Sequence, residues 1–324
     1  MDGIDSNNPV AGIGEFALID RITAGLAGPG FVEVGLGDDA AVVRLTGPRV
    51  VVTTDMLVEG RHFRRAWSGP EDVGHRAAAA NLADVVAMGA DPRALVVAVS
   101  LPSEIEISWA RQLLTGIADE CRTVGAAVVG GDTTETDGGI VISITALGDL
   151  AGRQPVLRSG ARVGDVVALA GRQGWASAGL TVLSRGFRSP RVLVDALRRP
   201  DPPYTSGPEA ARVGATSMID VSDGLVADVR HVAAASGVTV ALVSSLLPVD
   251  APLKDTATAF SANPLVWVLT GGDDHSLVAT FPPDVEPPVG FQRIGEVVAG
   301  DGQVTVDGEP FTDVGGWQHF SSSG

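Results

Sequence analysis

Val50-Val51-Val52-Thr53-Thr54-Asp55-Met56-Leu57-Val58-Glu59-Gly60-Arg61-His62-Phe63 is the stretch whose reading decides the fold. Three consecutive β-branched valines favour a strand, and the run then breaks into two hydroxyls and a carboxylate. Thr53, Thr54 and Asp55 are therefore expected where a buried strand emerges. Thr-Thr-Asp offers three hard oxygen ligands in a row, and Glu59, Arg61 and His62 follow on a loop closed by Gly60. Standing alone, the stretch reads more simply as a strand end with a polar turn. The same pattern, however, recurs along the chain.

Upstream, Val34-Gly35-Leu36-Gly37-Asp38-Asp39-Ala40-Ala41-Val42-Val43 is a glycine-loosened loop with paired aspartates, leading into a short strand. Downstream, Pro70 and Glu71 open a long helix that passes through Ala77 to Ala80 and ends at Gly89, with Asn81 and Asp84 on one face. A buried strand from Ala94 to Leu101 precedes an amphipathic helix from about Ser108 to Val124. Ala126 to Val129 then runs as a strand into Gly130-Gly131-Asp132-Thr133-Thr134, and the strand Ile140 to Leu147 closes the first half. The Gly-, Arg- and Pro-rich loop from Asp149 to Gly164 marks the expected boundary between two α/β domains, 1–150 and 151–324. In the second half, Ser217-Met218-Ile219-Asp220-Val221 breaks into Ser222-Asp223-Gly224-Leu225. Leu265 to Leu269 reads as a further strand ending in Thr270-Gly271-Gly272-Asp273-Asp274, and Val306-Asp307-Gly308-Glu309 as a hairpin turn.

Composition narrows the partners. At 324 residues, two domains are the natural expectation. A net charge of -16 argues against nucleic acid or an anionic membrane as the main partner, because phosphate backbones demand a basic face. Aspartates outnumber glutamates 27 to 12, which places many carboxylates at strand ends and in loops, where they can bind cations. Lys254 is the only lysine, so no Gly-x-x-x-x-Gly-Lys phosphate loop exists, and any polyphosphate must be neutralised by metal or arginine. The single cysteine, Cys121, cannot form an internal disulfide and reads as a small core side chain on a helix. With no basic leader and no run of about 18 apolar residues, a soluble cytoplasmic protein is expected.

The carboxylates at Asp38, Asp39, Asp55, Asp84, Asp132, Asp220, Asp223, Asp273 and Asp274 suggest a shared acidic basin. So many like charges repel unless cations neutralise them, and small carboxylates with threonine hydroxyls suit Mg²⁺, hence Mg-bridged polyphosphate.

Taken in order, Gly37-Asp38-Asp39-Ala40-Ala41, Thr54-Asp55-x-Leu57-Val58-x-Gly60-x-His62-Phe63, Asn81-Leu82-x-Asp84-x-x-Ala87-Met88-Gly89-Ala90-Asp91-Pro92, Gly130-Gly131-Asp132-Thr133-Thr134 and Asp220-x-Ser222-Asp223-Gly224-Leu225 resemble the thiamine-monophosphate kinase family. The resemblance covers almost the whole chain. It implies the two-domain α/β (α+β) fold shared with aminoimidazole ribonucleotide synthetase, selenophosphate synthetase and a hydrogenase-maturation dehydratase. It also implies a homodimer whose N-terminal halves pair their sheets, with ATP and several Mg²⁺ in a cleft completed by the C-terminal half. The implied reaction transfers the ATP γ-phosphoryl group to thiamine monophosphate. The cousins that need cysteine fit less well, since residues 1–30 have none and the last residues are Ser322-Ser323-Gly324. A protein that holds Mg-nucleotide without turnover is the other class of reading, against which the intact Asp132 and Asp223 argue.

By motif position, the resemblance implies metal ligation by Asp38, Asp39, Thr53, Thr54, Asp55, Asp84, Asp132, Asp220 and Asp223, with Asp132 and Asp223 central to catalysis. ATP contacts are implied for Gly131, Asp132, Arg158 and Ser222, and substrate contacts for His62, Asp273 and Trp317. One departure stands out: Gly271-Gly272-Asp273-Asp274-His275-Ser276-Leu277 replaces the usual Gly-Gly-Glu-Asp-Tyr-Glu-Leu, which shortens the first acid and removes the Tyr-Glu pair.

Overall fold

The computed structural model describes residue 18 and residues 21–25, 29–34 and 42–311. The chain divides into two compact units, one comprising Met1–Val85 and Asp91–Gly152 and the other Val86–Ala90 and Arg153–Gly324.

In the first unit, β1 (Val32–Val34) and β2 (Val42–Val43) form a small antiparallel pair. The main sheet comprises β3 (Val50–Val58), β4 (Asp91–Leu101), β5 (Ala127–Glu135) and β6 (Val141–Asp149), in the order β3-β6-β4-β5. β4 and β5 are parallel, and the helix Ile107–Thr123 supplies the crossover that parallel neighbours require. Two expectations need correcting. Thr53, Thr54 and Asp55 lie inside β3 and not at its end, because the ladder with β6 continues from Thr53↔Ala146 through to Val58↔Val141. Likewise β5 does not stop at Val129; its pairing with β4 carries the strand through Asp132↔Ala98 to Glu135↔Leu101.

The two faces of this sheet differ. Leu57, Leu95, Val97, Ile142, Ile144 and Ala146 are buried. On the alternate positions, Val50, Val52, Met56 and Val96 remain 45%, 57%, 54% and 38% exposed. Ala77 to Ala80, Leu82, Ala83 and Val85 of the helix Pro70–Ala87 are all buried, so its small side chains allow close packing.

The second unit is built on β7 (Val166–Ala170), β8 (Ser217–Val221), β9 (Thr239–Leu242), β10 (Ser276–Phe281), β11 (Phe291–Val298), β12 (Val304–Val306) and β13 (Glu309–Pro310). Their order is β13-β12-β9-β11-β7-β10-β8, antiparallel throughout except for β12 beside β9. Successive residues of β7 serve two apolar clusters. Val167 and Leu169 join Leu225, Val229 and Trp267, whereas Ala168 joins Met218, Phe281 and Val86. A sheet covered on both faces explains the unbroken apolar runs. Val306 pairs with Glu309 as the hairpin reading expects.

Leu265 to Leu269 is a third correction. It is part of a helix, Pro264–Thr270, because Asn263 accepts the amide of Leu265 at 3.0 Å through its side chain and Pro264 takes the first helical position. Among the described residues, no helix is long and apolar enough to cross a membrane.

Candidate functional site

In the first unit, strand alternation splits the Thr-Thr-Asp run. Thr53 donates its hydroxyl to Asp84 Oδ2 at 2.7 Å, and the amide of Asp55 is accepted by Asn81 Oδ1 at 3.1 Å. Asn81 is fully buried and donates to the Ala77 carbonyl at 2.9 Å, so it pins the β3 edge to the helix that carries Asp84. Thr54 belongs to the alternate row. Its hydroxyl donates to the Ile144 carbonyl at 2.9 Å and accepts from Thr145 at 3.3 Å. The register places Met56, Ser143, Ala98 and Asp132 in one row across the four strands. Asp132 is thus on the strand at the opposite edge from Asp55, three strand spacings or about 14 Å along the sheet. It is exposed, and its Oδ1 accepts the amide of Thr133 at 2.8 Å. A Cβ on Gly131 would sit 2.1 Å from the Val97 carbonyl, so sheet packing already demands glycine there.

The loop after β3 folds back on itself. His62 Nδ1 accepts the amide of Val58 at 2.9 Å, and the His62 amide returns to the Val58 carbonyl at 2.9 Å. An acceptor role at Nδ1 puts the imidazole proton on Nε2 and keeps the ring neutral. Glu59 ties the loop further by accepting from Arg65 Nε at 2.6 Å and the Ile140 amide at 3.2 Å.

In the second unit, β8 ends in the turn Ser222-Asp223-Gly224, which leads directly into the helix Leu225–Ser236. Asp228, one turn into that helix, reaches back so that its Oδ2 accepts the amides of Asp223 and Gly224, both at 3.0 Å. Burial, then the charge of Asp220, push the Asp228 carboxyl up to about 7, against the lowering effect of those two amides. Alongside runs the Gly271–His275 loop. The Asp273 amide donates to the Ser222 carbonyl at 2.9 Å and the His275 amide to the Val221 carbonyl at 3.1 Å. Asp273 and His275 adopt positive φ of 67° and 52°, a conformation that side chains other than glycine resist. His275 Nδ1 lies 3.1 Å from Asp220 Oδ2, both side chains being buried.

Asp274 has a different task from its neighbour. Its two oxygens accept the amides of Gly174 at 2.6 Å and Ala176 at 2.9 Å, at the start of the helix Trp175–Ser184. Burial pushes this carboxyl up to about 7. Gln173, also buried, donates to the Val268 and Gly271 carbonyls and accepts from Ser276, locking the base of the same loop. Arg158 stands apart from Asp223. Its carbonyl accepts the hydroxyl of Ser236 at 2.9 Å, at the far end of the helix Leu225–Ser236, whose length is about 17 Å at 1.5 Å rise per residue.

The structure therefore brings together Thr53, Asp84 and Asp55 in one unit and Asp220, Ser222, Asp223 and Asp273 in the other. Asp132 and Thr54 lie on the alternate row of the first sheet, and Arg158 lies beside the far end of the helix Leu225–Ser236. Asp38, Asp39 and Trp317 lie outside the described residues. Among the described residues, no three carboxylate, histidine or cysteine side chains converge to cage an ion. Mg²⁺ that travels with polyphosphate needs only one or two carboxylates besides phosphate and water oxygens, so the Thr53–Asp84–Asp55 group and the Asp220–Asp223 pair fit that role chemically. Asp228 and His275 escaped sequence reading. Asp228 stands five residues beyond Asp223, a spacing that reaches back over a helix N-terminus, whereas no local signal links His275 to Asp220.

Two contiguous matches define the class of protein. Residues 37–150 match the N-terminal domain, and residues 162–307 the C-terminal domain, of AIR synthase related protein. Within that class, the chain is 47% identical over 309 residues to a thiamine-monophosphate kinase of Mycobacterium tuberculosis, covering 95% of this chain and 92% of the relative. The thiamine-monophosphate kinase of Stenotrophomonas maltophilia K279a superposes with a TM-score of 0.80 at 33% identity, over 92% of this chain and 98% of that one. A structure of AaThiL complexed with AMPPCP and TMP does so with a TM-score of 0.79 at 33% identity, over 95% and 97%. The chain belongs to the thiamine-monophosphate kinase family.

Proposed function

We propose that this chain transfers the γ-phosphoryl group of ATP to the phosphate of thiamine monophosphate, giving thiamine diphosphate and ADP. The observation that carries this reading is its likeness, over 95% of its length, to a protein whose structure holds AMPPCP and TMP together. The bond between the bridging oxygen and the γ-phosphorus breaks, and a phosphate oxygen of thiamine monophosphate forms the new one. That oxygen is already ionised, so the reaction needs positioning and charge neutralisation more than a general base. Incubating the purified chain with ATP, Mg²⁺ and thiamine monophosphate should yield thiamine diphosphate. Only ADP and inorganic phosphate, or no turnover, would refute the reading.

Within it, Asp55, Asp84, Asp132, Asp220 and Asp223, with the hydroxyl of Thr53, are the residues that would hold Mg²⁺; Asp38 and Asp39 join them by motif position. When bound, Mg²⁺ neutralises phosphate charge and orients the transferring group. Donors spread over two sheet edges and a separate turn suit several ions better than one. Thr54, whose hydroxyl is committed to the Ile144 carbonyl, contributes least by side chain. By motif position Gly131, Ser222 and Arg158 would contact ATP, Arg158 from beside the other end of the helix that follows Ser222. By motif position His62 and Asp273 would contact the substrate.

Trp317 completes the substrate set by motif position. An indole face suits both a cationic thiazolium and a flat aminopyrimidine, an attraction of roughly 1 to 2 kcal/mol in a desolvated site. Trp317→Ala should therefore raise the KM for thiamine monophosphate about tenfold and leave the KM for ATP unchanged. Equal losses for both substrates would remove Trp317 from the substrate set.

We also propose a homodimer formed through the open face of the first sheet. Val50, Val52 and Met56 line the β3 edge of that face, with Val96 two strands away and Asp132 at the opposite edge, and exposed apolar surface of this kind is seldom left in water. Replacing Val52 and Met56 together by glutamate should weaken self-association by about a hundredfold or more, since each buried unpaired charge costs several kcal/mol. Sedimentation at micromolar concentration decides: a wild-type monomer would exclude the dimer, and an unperturbed dimer in the double variant would move it to another surface.

A further inference from the structure

We propose that His275 is a positioning residue for Asp220, donating its Nδ1–H to Asp220 Oδ2 and fixing the rotation of that carboxylate. The inference rests on the reading of Asp220 as a Mg²⁺ ligand and deepens it. Asp220 lies in β8, paired with Leu277 of β10, with 4% exposure. His275 is the residue just before β10 and is 5% exposed, so the 3.1 Å approach takes place away from bulk water. A carboxylate offers only acceptors, so the nitrogen facing it must carry a proton. This tautomer is the reverse of the one His62 adopts, where Nδ1 accepts from Val58.

The backbone supports the assignment. His275 is held at a φ of 52°, and its amide is tied to the Val221 carbonyl at 3.1 Å. A strained position tied to the neighbouring strand fixes the point from which the ring extends, and strain of this kind persists where the surroundings over-determine it. The Asp220 carboxylate at the end of a strand has a soft final torsion, which rotates freely unless a neighbour holds one oxygen. His275 supplies that hold. Groups that orient a ligating carboxylate in this way typically change metal affinity 10- to 100-fold when removed.

Three measurements test the proposal. On the intact wild-type chain labelled with [¹⁵N]histidine, two-bond ¹H–¹⁵N correlation should show His275 protonated at Nδ1; a neutral ring with the proton only on Nε2 would overturn it. Mn²⁺ binding, followed by electron paramagnetic resonance without nucleotide, should weaken tenfold or more in His275→Phe. It should recover to within about threefold in His275→Asn, whose amide nitrogen stands where Nδ1 was and whose backbone tolerates positive φ. The Mg²⁺ concentration for half-maximal turnover should rise in parallel, while kcat at saturating Mg²⁺ stays near the wild-type value. Should the phenylalanine variant fail to fold, the asparagine variant and the wild-type spectrum still decide. Asp220→Asn separates the two ideas. If it weakens Mn²⁺ binding and His275→Phe does not, the positioning role fails alone; if Asp220→Asn leaves Mn²⁺ binding intact, the ligand reading fails and the proposal with it.

Discussion

Asp132→Asn should lower kcat by a thousandfold or more while leaving the unfolding transition where it is. The carboxylate is exposed, and the one bond described for it is the short link from the Thr133 amide to Oδ1, which an asparagine carbonyl accepts equally well. An exposed substitution that keeps its hydrogen bond is expected to change stability by no more than about 0.5 kcal/mol. What disappears is a full negative charge at a position that, under the proposed function, anchors metal against phosphate, and such anchors act on the transition state rather than on the fold. Turnover with ATP and thiamine monophosphate at saturating Mg²⁺, together with the melting temperature, checks both halves. Near wild-type turnover would remove Asp132 from the catalytic set, and a large stability loss would mean that the charge serves the fold.

Gly272→Ala should damage both stability and activity. A Cβ there would fall 2.0 Å from the Ser222 carbonyl oxygen, 2.8 Å from its carbon and 3.0 Å from the Asp223 carbonyl carbon. All three are backbone atoms, so no side chain can swing aside. The Gly271–His275 loop would have to separate from the turn carrying Ser222 and Asp223, breaking the links from Asp273 to Ser222 and from His275 to Val221. Overpacking of this kind costs about 3 kcal/mol, and displacing the turn should lower turnover at least a hundredfold. Chemical denaturation and steady-state assays on one preparation test this. A variant with wild-type stability would show that the loop is not clamped, and one that is less stable but fully active would uncouple the loop from the site.

Legibility from sequence followed locality. The apolar run at Val50 and the alanine-rich helix before Gly89 announce themselves, because β-branching and helix propensity act over a few residues. Where β3 ends was not legible. That is set by β6, whose Ala146 and Ile144 pair with Thr53 and Asp55 from far along the chain. Strand order was equally hidden, so one acidic basin could be read for Asp55 and Asp132 although they occupy opposite edges of a four-stranded sheet. Leu265 to Leu269 misled for the opposite reason. The Asn263-Pro264 start signal was present in the sequence but was outweighed by the strand-like valines and tryptophan that follow. The departure at Asp273 to Ser276 stood out at once, yet its physical content, a histidine against Asp220 fifty-five residues away, needed the fold.

The burial of Cys121 has a practical side. It is 1% exposed, and burial, then the neighbouring charge of Glu120, push its thiol up to about 12. At neutral pH this strongly disfavours the thiolate, the form that reacts with maleimides and oxidants. The native chain is thus chemically silent toward thiol reagents without any substitution. Val289→Cys, 96% exposed in a turn of the second unit, would place a single reactive handle away from the open sheet face. A spin label or fluorophore attached there would read distances between copies of the chain directly, against no background from the protein's own sulfur.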